Sequence, residues 1–149
     1  MPRSCQLRTG RVSEPARIYL LTATVEGREA VFADFFLARL LVAELRSVHE
    51  DGLVDSLAWT VMPDHLHWLL ILKDSSLSAV MQRVKGRSAR RIHAALGRQG
   101  KFWQDGFHDR ALRREDDVLP VARYIVANPI RAGLVSRVGD YPLWDARWL

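Results

Sequence analysis

The segment from residue 61 to residue 72 constrains the fold of this chain more than any other. A turn at Pro63-Asp64 is followed by the sequence HLHWLLIL, in which six of eight residues are apolar. Because successive side chains of a strand point to opposite faces, the apolar residues of 65–72 occupy both faces. A strand that is apolar on both faces belongs in the middle of a sheet.

Two histidines lie at the start of this strand. His65 and His67 are two residues apart, so their side chains project from the same face. Neutral imidazole is the commonest metal ligand in proteins, but a His-x-His pair alone is equally compatible with structural histidines. A specific metal site needs at least a third ligand from elsewhere in the chain.

The rest of the chain predicts alternating strands and helices in a single domain, 1–149, with residues 1–16 as a loosely held arm. The helix over 35–50 has Asp34 as its N-cap and apolar residues at helical spacing from Phe36 to Val48. The third helix opens at Asp116 or Asp117 and stops near Asn128. The predicted strands are 17–25, 56–62, 65–72 and 107–113, and the other helix is 76–96.

This order, β-α-β-β-α-β followed by a further helix, predicts an α+β fold with a ferredoxin-like antiparallel sheet, the arrangement also found in RRM-like domains. The strands 56–62 and 65–72 form a hairpin. The first two helices are expected to cover one face of the sheet and to leave the other face free for a ligand or partner.

Tyr124 and Asn128 are four residues apart and therefore share a face of the third helix. Each has an ordinary alternative: a half-buried aromatic for the tyrosine, and a helix stop before Pro129 for the asparagine. Together with two imidazoles, a carboxamide oxygen makes a site suited to Mg²⁺ or Mn²⁺ when phosphate oxygens complete the shell. A tyrosine beside a metal-bound phosphate is suited to covalent catalysis at phosphorus.

Basic residues are concentrated in the second half of the chain. Residues 83–137 carry 13 Lys and Arg against 5 Asp and Glu, whereas residues 1–82 carry 8 against 10. This distribution indicates a polyanionic partner such as nucleic acid. The alternatives are that the basic residues form an ordinary solvated face and that the nearby aromatic residues belong to the core. Trp103, Phe107 and Trp68 are candidates for stacking on unpaired bases. The predicted nucleic-acid-binding residues are Arg83, Lys85, Arg87, Arg90, Arg91, Trp103, Arg110, Arg123 and Arg131.

Composition argues against several other classes of protein. No apolar run approaches the roughly 20 residues that cross a bilayer, so no membrane association is expected. The sequence that follows Met1 lacks the hydrophobic core of a signal peptide. A single cysteine, Cys5, excludes an internal disulfide. The simplest expectation is a cytoplasmic protein.

Three segments in order resemble one family of enzymes. Residues 62–70, MPDHLHWLL, are similar to the HUH motif (His-hydrophobic-His) of single-tyrosine transposases. Residues 102–110, FWQDGFHDR, and 124–135, YIVANPIRAGLV, resemble the aromatic segment and the catalytic-tyrosine helix of the same superfamily. Within this superfamily, the chain most resembles the REP-associated tyrosine transposases, which handle repetitive palindromic DNA. The resemblance spans residues 17 to 144.

The resemblance implies a role for each matching residue. Tyr124 would be the nucleophile, His65 and His67 metal ligands, and Asn128 the third ligand. The activity would be metal-dependent cleavage and strand transfer of single-stranded DNA or hairpins of REP-like palindromes through a 5′-phosphotyrosine intermediate. Some members of the superfamily build the site from two chains, so both a monomer and a homodimer remain open.

Two other functions remain open on the sequence alone. A ferredoxin-like sheet with basic flanks also describes a non-catalytic nucleic-acid-binding module. A hydrolytic metallonuclease would use the same histidines, with attack by water and a purely structural Tyr124.

Overall fold

The structure is a computed structural model, and it describes residues 17–113 and 117–146. These residues contain five strands and four helices that are named here in chain order. The strands are β1 Ile18–Thr24, β2 Val54–Met62, β3 His65–Leu72, β4 His108–Ala111 and β5 Trp144–Ala146. The helices are α1 Phe35–Glu50, α2 Leu77–Leu96, α3 Val118–Val126 and α4 Asn128–Arg131. The predicted arm at 1–16 and the candidate cap Asp116 lie outside the described residues.

The strands form one antiparallel sheet in the order β4-β1-β3-β2-β5. The predicted central position of β3 is confirmed, because β3 pairs with β1 on one side and with β2 on the other. Met62 pairs with His65, so the hairpin turns over Pro63 and Asp64 alone. The predicted ferredoxin-like α+β order is therefore confirmed.

The helices α1 and α2 pack on one face of the sheet. Asp34 and Ser76 cap them: Asp34 Oδ1 accepts from the amide of Leu37, and Ser76 Oγ accepts from the amide of Ala79. Their apolar stripes join the face of β3 that carries Leu66, Trp68, Leu70 and Leu72.

Two apolar residues of the predicted helix faces are exposed instead. Phe36 lies in the first turn of α1 with 62% of its surface exposed, and Leu96 is the last residue of α2 with 38% exposed. The helix predicted over 76–96 was expected to bury Leu96 on its apolar stripe, and that expectation is wrong; for Phe36 only helical spacing was predicted. Helical spacing identifies a stripe but not how far the underlying sheet extends beneath its ends.

The second face of the sheet is not free, contrary to the prediction. Leu57 and Leu69 of the sheet pack with Ala122 and Ile125 of α3 in a second apolar cluster. Because residues 69 and 71 of β3 are apolar, this face also needs cover, and α3 supplies it. The helix ends at Val126, and α4 restarts after one residue with Pro129 in its first turn, a position that proline tolerates.

The last described strand was not predicted. β5 has three residues and pairs with the outer edge of β2, while the indole of Trp144 donates to the carbonyl of Val138. So short a strand has too few residues for an alternating pattern. Within 17–113 and 117–146, no helix combines the length and apolar character needed to cross a membrane.

Candidate active site

The two histidines of β3 face each other at the end of the central strand. Their Nε2 atoms are 3.1 Å apart, and the two rings are nearly perpendicular, at 88°. This geometry follows from the strand, since residues two apart share a face and the partly buried pair has little space to separate.

The other nitrogen of each ring has its own partner. His65 Nδ1 lies 2.6 Å from Asp64 Oδ1, and Asp64 Oδ2 accepts from Arg28 Nε at 3.1 Å. His67 Nδ1 lies 3.1 Å from the hydroxyl of Thr22, which pairs with His67 across β1 and β3. Both imidazoles are thus fixed from behind, with Nε2 directed into the site.

Electrostatics favours neutral His67. Burial, together with repulsion from His65 and Arg131, lowers the pKa of the His67 imidazole to about 4. Burial raises the pKa of Asp64, but the hydrogen bond and charge of His65 and the charge of Arg28 outweigh it, so the net pKa is lowered. At neutral pH His67 is therefore in the form that can coordinate a metal ion.

The last two helices of the same chain approach this end of the sheet. The hydroxyl of Thr60, fully buried, donates to the carbonyl of Ile125 at 2.9 Å. Thr60 pairs with His67 across β2 and β3. The end of α3 is therefore fixed to Thr60, the neighbour of His67 in the sheet. Tyr124 immediately precedes Ile125 in this helix.

Arg131 links the two predicted residues of this segment. Its guanidinium carbon lies 3.7 Å from the centroid of the Tyr124 ring, and its Nη2 donates to Asn128 Oδ1 at 3.1 Å. Arg131 also contributes to the lowered pKa of His67. Tyr124 is 63% exposed, so its phenol is accessible from solvent. Tyr124, Asn128, Arg131 and His67 therefore share one region of the molecule.

The histidine pair has a spacing suited to one cation. Two nitrogens bound at right angles to a metal at about 2.1 Å would be about 3.0 Å apart, close to the 3.1 Å observed. Within the described residues, no three or more His, Cys, Asp or Glu side chains are grouped to hold a metal ion. Further ligands would have to be oxygens of another kind, and Asn128 Oδ1 is the candidate in this chain.

Apart from Arg131, which donates to Asn128, the predicted basic residues divide into two groups. Three of them bind other parts of the chain: Arg83 donates to Ser47 and Asp51, Arg91 to Glu44, and Lys85 to the carbonyls of Gln104 and Gly106. Four others are exposed and have no ion pair or hydrogen bond within the described part of the chain. These four are Arg87, Arg90, Arg110 and Arg123.

Arg110 and Arg123 share the sheet face of the histidines. Arg110 pairs with Leu20, and Leu20 pairs with Leu69, which is two residues from His67 on the same face of β3. Arg123 is exposed on α3, the helix that covers this face. Arg87 and Arg90 lie on α2, across the sheet.

The predicted stacking aromatics are buried. Trp103 is 5% exposed and its indole donates to Ser88, Phe107 is 8% exposed, and Trp68 is fully buried. These three side chains belong to the main hydrophobic core, so the prediction that they stack on bases does not hold for them. Among the residues that the structure describes, the exposed aromatics are instead Phe35, Phe36 and Tyr124. In the sequence, the exposure of both phenylalanines is indicated by their position in the first helical turn after Asp34.

Comparison with known proteins gives three findings. The chain matches the family described as Transposase IS200 like over residues 16–128. It is 32% identical over 87 residues to the REP-associated tyrosine transposase of Escherichia coli (strain K12); the alignment covers 57% of this chain and 50% of that protein. The chain thus spans about half the length of this curated relative.

The third finding concerns the fold. A solved structure of a REP-associated tyrosine transposase bound to a REP hairpin superposes with a TM-score of 0.74. The match covers 90% of this chain and 79% of the other, at 24% sequence identity. At this level of identity the likeness establishes the shared fold.

Proposed function

Because this chain belongs to the IS200-like transposase family, we propose that it cleaves and rejoins single-stranded DNA through a 5′-phosphotyrosine intermediate on Tyr124. One observation carries the proposal: the buried bond from Thr60 to the carbonyl of Ile125 fixes the tyrosine helix beside His67 of the same chain. A catalytic site can therefore be assembled within one chain.

The residues have distinct tasks in this reaction. The phenol oxygen of Tyr124 attacks the scissile phosphorus, forming a Tyr–O–P bond as the bond from phosphorus to the 3′-oxygen breaks. The phenol loses its proton and the departing 3′-oxygen gains one. Attack by a 3′-hydroxyl on the phosphotyrosine reverses these changes and rejoins DNA without an external energy source.

Arg131 and the histidines provide the electrostatic environment. The guanidinium stacked on Tyr124 would stabilise the negative charge that develops on the phenol oxygen during attack. His65 and His67 would hold Mg²⁺ or Mn²⁺, with Asn128 Oδ1 as a third ligand once Arg131 shares or releases it. When bound, such a cation withdraws charge from the scissile phosphate.

We further propose hairpin DNA of the REP type as the substrate class. The support is that the Escherichia coli relative is a REP-associated tyrosine transposase and that the solved structure of similar fold is bound to a REP hairpin. In this chain the exposed Arg110 and Arg123, which have no ion pair or hydrogen bond among the described residues, lie on the histidine face, where backbone phosphates leading to the site would need positive charge.

The test uses a hairpin oligonucleotide with single-stranded flanks, Mg²⁺ or Mn²⁺, and the wild-type chain, Tyr124→Phe and Tyr141→Phe. A denaturing gel separates covalent protein–DNA adducts from free fragments. The proposal predicts an adduct with wild type and Tyr141→Phe and none with Tyr124→Phe. Cleavage without adduct that persists in Tyr124→Phe would indicate a metallonuclease, and binding without cleavage a recognition module; either outcome refutes the proposal.

A further inference from the structure

A continuous chain of polar contacts runs through the histidine pair. Arg28 Nε donates to Asp64 Oδ2 at 3.1 Å, and Asp64 Oδ1 lies 2.6 Å from His65 Nδ1. The two Nε2 atoms are 3.1 Å apart, and His67 Nδ1 lies 3.1 Å from the Thr22 hydroxyl. Five side chains from β1, β3 and the loops beside them therefore form one linked system.

The chemistry of the partners determines where the ring protons are. An ionised carboxylate only accepts hydrogen bonds, so Nδ1 of His65 carries a proton, and in the neutral form of this ring Nε2 has a lone pair. When both rings are neutral, two lone pairs 3.1 Å apart would repel, so we infer that without a cation His67 carries its proton on Nε2 and donates it to His65. The Thr22 hydroxyl then donates to His67 Nδ1.

Binding of a cation between the two Nε2 atoms requires a change of tautomer at His67 but not at His65. His65 already offers its lone pair. His67 must move its proton to Nδ1, where the Thr22 hydroxyl can accept it, because a hydroxyl serves as donor or acceptor. The hydrogen bond between His65 and Asp64 therefore keeps its direction, whereas the hydrogen bond between His67 and Thr22 can reverse its direction.

We propose that Asp64, held by Arg28, and Thr22 are positioning residues that set which nitrogen of each imidazole faces a divalent cation. The inference rests on the metal site of the proposed function and adds residues outside the ligand set. Its effect on metal binding is expected because partners of ligating histidines fix ring orientation and tautomer.

The local backbone is built to hold Arg28 and Asp64 in place. Arg28 has φ of +54°, the left-handed conformation, and it is the one residue other than glycine with positive φ in the described part of the chain. The Asp64 carbonyl accepts from the amide of Val25. A conformation that is unfavourable for arginine is retained where its guanidinium meets the carboxylate behind His65.

The alternative is that Asp64 is only a turn residue, and two measurements distinguish the readings. The first is Mn²⁺ affinity of the full chain by isothermal titration calorimetry. Asp64→Ala should weaken Mn²⁺ binding by roughly 10- to 100-fold. Asp64→Asn, whose carbonyl can still accept from Nδ1, should retain most of the affinity. Asp140→Ala, which removes a surface partner of Arg137, should bind as wild type does.

The second measurement is the ¹⁵N NMR spectrum of the imidazoles without metal, which reports the tautomer directly. Wild type should show the proton of His65 on Nδ1, and Asp64→Ala should lose this preference. Thr22→Val, of nearly the same shape, should weaken Mn²⁺ binding while leaving the His65 tautomer unchanged. It supplies the test if Asp64→Ala does not fold.

Each outcome bears on the proposal. Wild-type Mn²⁺ affinity in both Asp64→Ala and Thr22→Val, or an unchanged His65 tautomer in Asp64→Ala, would overturn it. If wild type binds no Mn²⁺, the metal site of the proposed function fails and the positioning role with it. Failure of the positioning role alone is recognised by normal Mn²⁺ binding in wild type and variants alike.

Discussion

The bond between Thr60 and the tyrosine helix offers a direct perturbation of the site. Thr60→Val keeps the shape of the side chain but removes the donor to the Ile125 carbonyl, which lies at a fully buried position. That carbonyl also accepts from the amide of Ala127, so it is not left entirely unsatisfied. We therefore expect a loss of about 1 kcal/mol in the free energy of unfolding, from the lower part of the range for buried bonds.

This loss should lower the melting temperature by about 2–4 °C for a domain of this size. The effect on activity should be larger than the effect on stability. The bond holds the end of α3 next to His67, and small misplacement of a reacting group can reduce rates by up to about 100-fold. We expect the rate of adduct formation by Thr60→Val to fall at least about 10-fold at temperatures where the protein remains folded.

Two control variants isolate the cause. Thr60→Ser keeps a hydroxyl donor and should retain the rate. Ser56→Ala removes the acceptor of the Trp68 indole, a bond of 2.8 Å on the same pair of strands, and should lower stability without slowing the reaction. If Thr60→Val is destabilised yet forms the adduct as fast as Thr60→Ser, the bond does not position the tyrosine helix and the reasoning is refuted.

Three further predictions follow from the same geometry. Mixing Tyr124→Phe with His67→Ala should give no adduct, because both groups act in one chain; restored adduct would indicate a site shared between chains. Arg123→Gln should reduce the salt dependence of single-strand binding by about 0.7 in log–log slope, whereas Arg91→Gln, which loses an internal partner of Glu44, should leave the slope unchanged. The pKa of His67 in the folded protein is about 4, below its ordinary value of 6.5, so the unfolded chain binds the extra proton first and the free energy of unfolding decreases as pH falls from 6.5 towards 4. Urea unfolding across this range should be less pH-dependent in His67→Leu than in wild type. An identical pH dependence would contradict the lowered pKa.

The central part of the fold could be predicted because local patterns and global pairing agree there. The bounds of β3 and α1 follow from the sequence: a turn before His65, and the cap Asp34 with a helical stripe behind it. The face covered by α3 could have been inferred from Leu69 and Ile71, which need an apolar neighbour. The three-residue β5 could not, since its pairing is tertiary and leaves no local pattern.

The sequence predicts that the proposed site residues share faces, but it does not predict their surroundings. His65, His67, Tyr124 and Asn128 share faces by strand and helix periodicity. Which basic residue meets an acidic partner depends on distant contacts, such as Arg91 with Glu44, 47 residues away. For the same reason, no local pattern distinguishes an exposed basic residue without a partner from one that connects two helices.

Aromatic residues show the same limit. Trp103 bonds to Ser88 in the core, and the loop around it is fixed by Lys85, so a loop sequence rich in aromatics became interior rather than surface. Conversely, Phe35 and Phe36 are exposed at the start of α1. Their burial is decided by where the sheet ends, which the periodicity of one helix does not report.

The most direct test of the central claim is the identity and polarity of the covalent link. A hairpin oligonucleotide carrying a fluorophore at its 3′ end is incubated with the full chain and Mn²⁺, and the labelled adduct is digested and mapped by mass spectrometry. A 5′-phosphotyrosine on Tyr124, with a matching fragment that ends in a free 3′-hydroxyl, is the predicted result. A label on another residue, a link through a 3′-phosphate, or cleavage with no nucleotide on Tyr124 would contradict the account.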